Sequence, residues 1–335
     1  MKLVYDVITV GSATVDVLAC TEQCGITDKK IQKKFISFPV GGKILIEQLH
    51  LSIGGGGTNT AVSLSRLGHK VAYIGKVGRG DNANRVIHSL KKEYVDTSLI
   101  VQAANSRTGY SIIFESCTND RTILTYRGSN NDLRYSEIPK NKLKAKWILL
   151  CAMYGKSAKT IEQLAVYASN RKIKIALSLN PAMAKLGVKK LFPLIKRTTI
   201  LILNKEEAQY LVGKHSIEKN LQIIANNGPN IVAITDGAKG VAVYDRSLFY
   251  YAKPNKVKII ETTGAGDAFA SSFLSGIMKK NDVSFAIDLG MTNAESVIQH
   301  HGAKSILLSY PMALKLMKKH PRKIIKKEIR SKSLK

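Results

Sequence analysis

The sequence predicts an α/β fold: a three-layer α/β/α domain around a mostly parallel central sheet, with a small lid built of β-strands. Three observations carry that prediction. From Lys146 onward, apolar runs of strand character alternate with amphipathic runs, as βαβ units require. Two segments, 12–53 and 106–127, carry strand signals without that alternation. A chain of 335 residues with 44% hydrophobic content is long enough for one large core and an appendage.

The elements follow in order. "YDVITVG" (5–11) is a short apolar strand closing on glycine, and 14–53 has mixed strand signals with a Pro39-Val40-Gly41-Gly42 turn. In "TNTAVSLSRLG", Ala61, Leu64, Ser65 and Gly68 fall at helical spacing, and the run stops on glycine. "KVAYIGKVG" reads as a buried strand. Residues 107–127 read as a hairpin around Thr118-Asn119-Asp120. "KWILLCA", "IKIALSLNP", "TTILILN" and "NIVAITDG" are then strands, with "TIEQLAVYASNR" and "KEEAQYLVG" as helices among them. The predicted organisation is an α/β domain from 1–11, 54–105 and 128–312, a discontinuous lid from 12–53 and 106–127, and a basic tail over 313–335, a helix ending in a solvated extension.

Composition narrows the function classes. No apolar stretch reaches the roughly 20 residues that span a bilayer. "LVYDVITVG" carries an acid where a signal peptide would be apolar, so a cytoplasmic protein is expected. Cys20, Cys24, Cys117 and Cys151 form no C-x-x-C pair, and no structural metal is predicted. The net charge of +28 is concentrated in part at the C-terminus, where residues 315–335 hold ten Lys/Arg and one acid, Glu328. Such a field attracts polyanions and phosphorylated small molecules alike.

Several stretches could carry chemistry, and each has a plainer reading. Gly54 to Gly57, ahead of a helix, let backbone approach a ligand, with Asn59 able to bond sugar hydroxyls; the same run could be a flexible connector. Asp16 lies beyond the first strand, at the edge where open α/β sheets bind ligands, or is a solvated loop acid. Asn180-Pro181 ends one strand. Asn204 ends another, and with Glu207 three residues on it suits a hydrated Mg²⁺ or a capping box. Thr235, Gly237 and Gly240 could line a nucleotide or simply turn a hairpin. In "ETTGAGDAFASSF", the amides around Gly264, Ala265 and Gly266 open a helix toward any anion. Asp267 either complements that helix dipole or accepts a hydroxyl proton during phosphoryl transfer.

The order of these motifs resembles the ribokinase (PfkB) family of sugar and nucleoside kinases: Asp16, GGxGxN over 54–59, N-x-x-E over 204–207, T-x-G over 235–237, and T-G-A-G-D over 263–267. The resemblance runs from Tyr5 to about Ile306 and implies a ribokinase-like fold. It implies Asp267 as catalytic base, the 264–266 amides as anion hole, and Asp16, Gly55 and Asn59 as acceptor ligands. It further implies Asn204 and Glu207 around Mg²⁺ and its waters, and Asn180, Thr235, Gly237 and, near the adenine, Asn293 around ATP; Asn204 and Gly240 border the same nucleotide. The implied reaction transfers the γ-phosphoryl group from Mg-ATP to a hydroxymethyl group under a closing lid.

The sequence departs from the family in three places. Glu261 stands where the signature begins with Asp, near the ion in members that use K⁺, which leaves a monovalent cation open. Gly56 replaces the Lys of ribokinases proper, and "CAMYG" (151–155) lacks their sugar-binding Glu. Phe35, Phe38, Tyr110 and Phe114 on the lid could cover a base, so the acceptor is a sugar, a polyol or a nucleoside. A lid sheet can also pair with a second lid in a homodimer. A protein that binds polyanions on a kinase scaffold is the reading from another class, carried by charge alone.

Overall fold

The computed structural model describes residues 4–20, 26–28, 33–35, 37–115 and 121–328, without the side chains of 26–28, 33–35, 115 and 121. Cys24, Cys117, the 118–120 turn and the Phe35 side chain lie outside the described residues. The strands that position the site are β1 (Tyr5–Val10), β2 (Thr14–Cys20), β3 (Gln48–Gly54), β4 (Val71–Ile74), β5 (Gly109–Glu115) and β6 (Arg121–Tyr126). They continue with β7 (Ala145–Cys151), β8 (Lys174–Ser178), β9 (Ile200–Asn204), β10 (Ile231–Thr235), β11 (Val241–Tyr244), β12 (Leu248–Ala252) and β13 (Ile324–Glu328).

Nine of these strands form one sheet in the order β13-β12-β11-β10-β9-β8-β7-β1-β4. It is parallel from β10 to β4 and antiparallel from β10 to β13. Its strands are near-continuous apolar runs because both faces are covered. Successive residues of β7 show this: Leu149 joins one core, and Ile148 and Leu150 join the other. The first core is completed by helices α1 (Gly56–Arg66), α2 (Asp81–Lys92), α4 (Ala265–Lys280) and α5 (Val283–Val297). On the second face lies α3 (Lys156–Asn170), together with helices over 187–195, 205–212 and 217–226. These are the three layers expected.

The lid is a separate four-stranded sheet, β6-β5-β2-β3, drawn from the two segments that broke the βαβ alternation. β2 pairs parallel with β5 and antiparallel with β3, placing Asp16 opposite Ser111 on one side and Ser52 on the other.

The C-terminus corrects one expectation. Residues 310–319 form the helix expected there, but Ile324–Glu328 is not a free extension: it pairs antiparallel with β12 as the edge strand of the main sheet. Arg322 holds it there. Its side chain is 1% exposed and bonds Asp288 and Glu295 of α5, and it donates to the Lys253 carbonyl. A run dense in lysine makes an edge strand because one-sided pairing leaves its charges in water.

Candidate active site

The C-terminal ends of neighbouring strands bring the motifs together. Asn180, Asn204 and Thr235 follow or end β8, β9 and β10, which are adjacent. Beyond β7 and β1, the glycine run 54–57 leads from the lid into α1, and α4 starts against it. A surface groove lined by Tyr135, Gln163, Tyr167 and Arg171 lies at the far end of α3, away from these strand ends.

Asp267 sits in the first turn of α4. Its Oδ2 accepts from Asn59 Nδ2 at 2.8 Å. A Cβ placed on Gly56 would lie 3.3 Å from Oδ1, so only glycine leaves the carboxylate uncrowded there. Burial raises its pKa, partly offset by the Asn59 bond and the charge of Lys304. Before it, Gly264 caps the helix at φ 80°, a left-handed conformation that glycine adopts without strain. Ala265 N bonds the Thr262 carbonyl, whereas the Gly266 and Asp267 amides have no acceptor among the described residues. A Cβ on Gly266 would meet nothing within 4 Å, so the chain is uncrowded beside these two donors.

Asp16, on β2 of the lid, receives hydrogen bonds from Ser111 and Thr14. Burial raises its pKa, and the Lys304 charge opposes that rise. A side chain on Gly54 would collide with its Oδ2. Asp16 Oδ1 and Asn59 Oδ1 are both buried and have no hydrogen-bond partner among the described residues. Two orphaned buried acceptors call for donors, and hydroxyl groups supply them. Gly55, at φ 98° against the Ser12 carbonyl, turns the chain between lid and helix.

At the nucleotide side the structure separates the candidates. Asn180 Oδ1 accepts from Met183 N at 2.9 Å and starts a short helix. Thr235 lies beside Asn204 in register, and Gly237 is exposed at φ 50° with open space before it. Gly240 is different: it is buried, and a Cβ there would strike the Ala252 carbonyl, so its glycine serves the β11–β12 packing. Asn293 is 0% exposed; its Nδ2 donates to Ser272 Oγ at 2.7 Å and its Oδ1 accepts from Leu308 N at 3.0 Å. In this structure it holds the 299–308 loop rather than facing a nucleotide.

Asn204 and Glu207 form the reciprocal capping box. Asn204 Oδ1 accepts from Glu207 N, and Glu207 Oε2 accepts from Asn204 N, both at 2.8 Å. Burial pushes the Glu207 carboxyl up to about 7. Among the described residues no group of three or more His, Cys, Asp or Glu could enclose a metal. One carboxylate and one amide suit a Mg²⁺ that keeps its waters and is held mainly by phosphates.

Lys304, missed by the sequence reading, belongs to this site. Its ammonium donates to Thr58 Oγ1 at 3.2 Å, in the first turn of α1, and burial pushes its pKa down to about 7 against the pull of Asp16, Glu93 and Asp267. No spacing connects Lys304 with Thr58. The departure at Glu261 also finds its use: Oε2 accepts from Gly302 N at 2.8 Å, joining the loop before Gly264 to the loop of Lys304.

Residues 5–309 match the pattern of the pfkB family carbohydrate kinases. A ribokinase of Staphylococcus aureus is 28% identical over 275 residues, 79% of this chain and 88% of its own. An uncharacterized sugar kinase of Archaeoglobus fulgidus is 30% identical over 252 residues, 72% and 97% of the two chains. The crystal structure of a ribokinase from Thermotoga maritima has the same fold, with a TM-score of 0.78 at 20% identity, covering 94% of this chain and 99% of that one. Among the described residues no helix is long and apolar enough to cross a membrane.

Proposed function

The chain belongs to the pfkB family of carbohydrate kinases and is an ATP-dependent kinase; on that premise we propose that it transfers the γ-phosphoryl group of ATP to a hydroxymethyl group of a small sugar or sugar-like polyol, with Asp267 as general base. The observation that carries this reading is the start of α4, where a half-buried carboxylate adjoins two amides without an acceptor among the described residues and open space at Gly266.

In that arrangement the acceptor's hydroxyls donate to Asp16 Oδ1 and Asn59 Oδ1, which are otherwise unpartnered. The Asn59 amide holds Asp267 Oδ2, fixing the carboxylate. As the acceptor oxygen bonds to the γ-phosphorus and the bond to the ADP oxygen breaks, Asp267 takes the hydroxyl proton. The Gly266 and Asp267 amides bear the charge on the phosphoryl oxygens. Asn180, Thr235 and Gly237 would border the nucleotide, and Asn204 and Glu207 would hold the waters of a Mg²⁺, which when bound would neutralise phosphate charge. Raised basicity in Asp267 favours proton capture, since efficiency rises as base and acceptor pKa values approach.

A nucleoside acceptor is the second reading, supported by the Phe38 and Phe114 rings, 5.5 Å apart on the lid. The lid also supports a homodimer. Leu49 and Leu51, on the face opposite Asp16, are 55% and 52% exposed. Light scattering should then report a dimer that Leu51→Lys dissociates; a monomeric wild type would end that idea.

Pentoses, hexoses, inositol and nucleosides supplied with ATP and Mg²⁺, with ADP release followed, test the main proposal. At least one acceptor should turn over, and Asp267→Asn should abolish it. Turnover of every acceptor by the Asn variant at the wild-type rate would overturn Asp267 as base.

A further inference from the structure

Lys304 lies in a loop held from four directions. Arg66 Nη1 donates to the Lys304 and Leu307 carbonyls at 3.2 and 2.9 Å, and Arg66 is itself braced by a bidentate pair with Glu93. Glu261 takes the Gly302 amide, Asn293 takes the Leu308 amide, and Ser296 Oγ donates to the Ile306 carbonyl. Ala303 packs against Gly264 at the cap of α4. Five side chains from four parts of the fold thus place one lysine, whose ammonium crosses from the start of α4 to the start of α1.

The groups facing it define its task. Asp16 comes from the lid strand, Asp267 from α4, Glu93 from the end of α2 and Arg66 from α1; Glu261 faces Asp16, and the buried Cys151 thiol faces Asp267. The Arg66 charge is spent on Glu93. Lys304 is the positive charge that acts on both Asp16 and Asp267. It forms no ion pair within 4 Å with either, and Thr58 Oγ1 is its hydrogen-bond partner among the described residues. Desolvation pushes each carboxylate toward protonation, and the Lys304 charge opposes that at both.

Resting on the kinase reading above, we propose that Lys304 is a positioning residue, the resident counter-charge that keeps Asp16 and Asp267 ionised together and commits the acceptor site to a neutral polyol. With Asp16 and Asp267 against one ammonium, the local balance stays negative, which repels an acceptor bearing its own carboxylate. An ionised Asp16 accepts from hydroxyls at both oxygens, and Asp267 must be ionised to take a proton, so both functions draw on the same ammonium.

The test begins with carbon-13 NMR titration of the aspartate carboxyls in the whole protein, with Asp16→Asn and Asp267→Asn assigning the two signals. Lys304→Met is expected to raise both midpoints by about one pH unit, and Lys304→Arg to return them to near the wild-type values. The acid limb of kcat/KM on the best neutral acceptor should move with them. Unmoved midpoints in the Met variant overturn the proposal, as does a wild type that prefers an aldonate over the matching neutral polyol. The titration needs no turnover, so a failure of the kinase reading, seen as no acceptor phosphorylated, is separate from a failure of Lys304.

Discussion

Two helix starts in this molecule look alike in one dimension and behave differently in three. The helix over 205–212 and α4 each follow a motif with an acid in the first turn, Glu207 in one and Asp267 in the other. At the first, Asn204 and Glu207 satisfy each other's backbone amides reciprocally. At the second, Gly264 has no side chain to offer, the Gly266 and Asp267 amides have no acceptor among the described residues, and the acid turns to Asn59 on α1 instead of to its own backbone. The first end is closed by its own sequence. The second is left open, and an open helix start is a place for an anion.

Substitutions can break that contrast. Asp267→Asn should lose about 10³-fold or more in kcat while melting like the wild type, whereas Glu207→Gln keeps an oxygen for the cap and should lose far less; steady-state kinetics beside thermal melts decides this. Gly266→Ala comes next. The fold has room for its methyl, so stability should hold, and a methyl beside the anion-binding amides should cut kcat/KM by about 10–100-fold. Asn204→Ala inverts the pattern. Loss of the cap should cost about 1 kcal/mol by denaturant unfolding, and a rate loss that excess Mg²⁺ rescues would add the metal role to the structural one.

The smallest effect concerns pH. Glu207 titrates near 4.5 when unfolded and near 7 in the fold, so between those values the folded chain holds a proton that the unfolded chain has released. Its contribution to stability is full below 4.5 and is lost as pH rises through about 7. Urea midpoints across that range should decline in the wild type and decline less in Glu207→Gln; parallel curves would contradict the buried carboxyl.

Much of this was legible in the sequence because it rests on short-range rules. The βαβ alternation, the strand character that gives a second small sheet and the glycine-rich helix start are local patterns. The tail misled because edge pairing depends on Arg322 reaching Asp288 and Glu295, contacts 34 and 27 residues away that no periodicity encodes. The contacts of Asn293 were illegible for a similar reason: the family resemblance set it near the adenine, and only packing brings it to Ser272 and the 308 amide.

By itself the sequence determined the family, the layered α/β architecture and the position of the acid in the first turn of α4, since each follows from residue order and the geometry of helix and strand. Only the tertiary structure decided which polar groups are spent and which are left over. It closed the Asn204 cap, orphaned one oxygen each of Asp16 and Asn59, and carried Lys304 to Thr58 across 246 positions of chain. The physical reason is that hydrogen-bond satisfaction and desolvation are properties of neighbours in space, and the chain order is silent about those neighbours until it has folded.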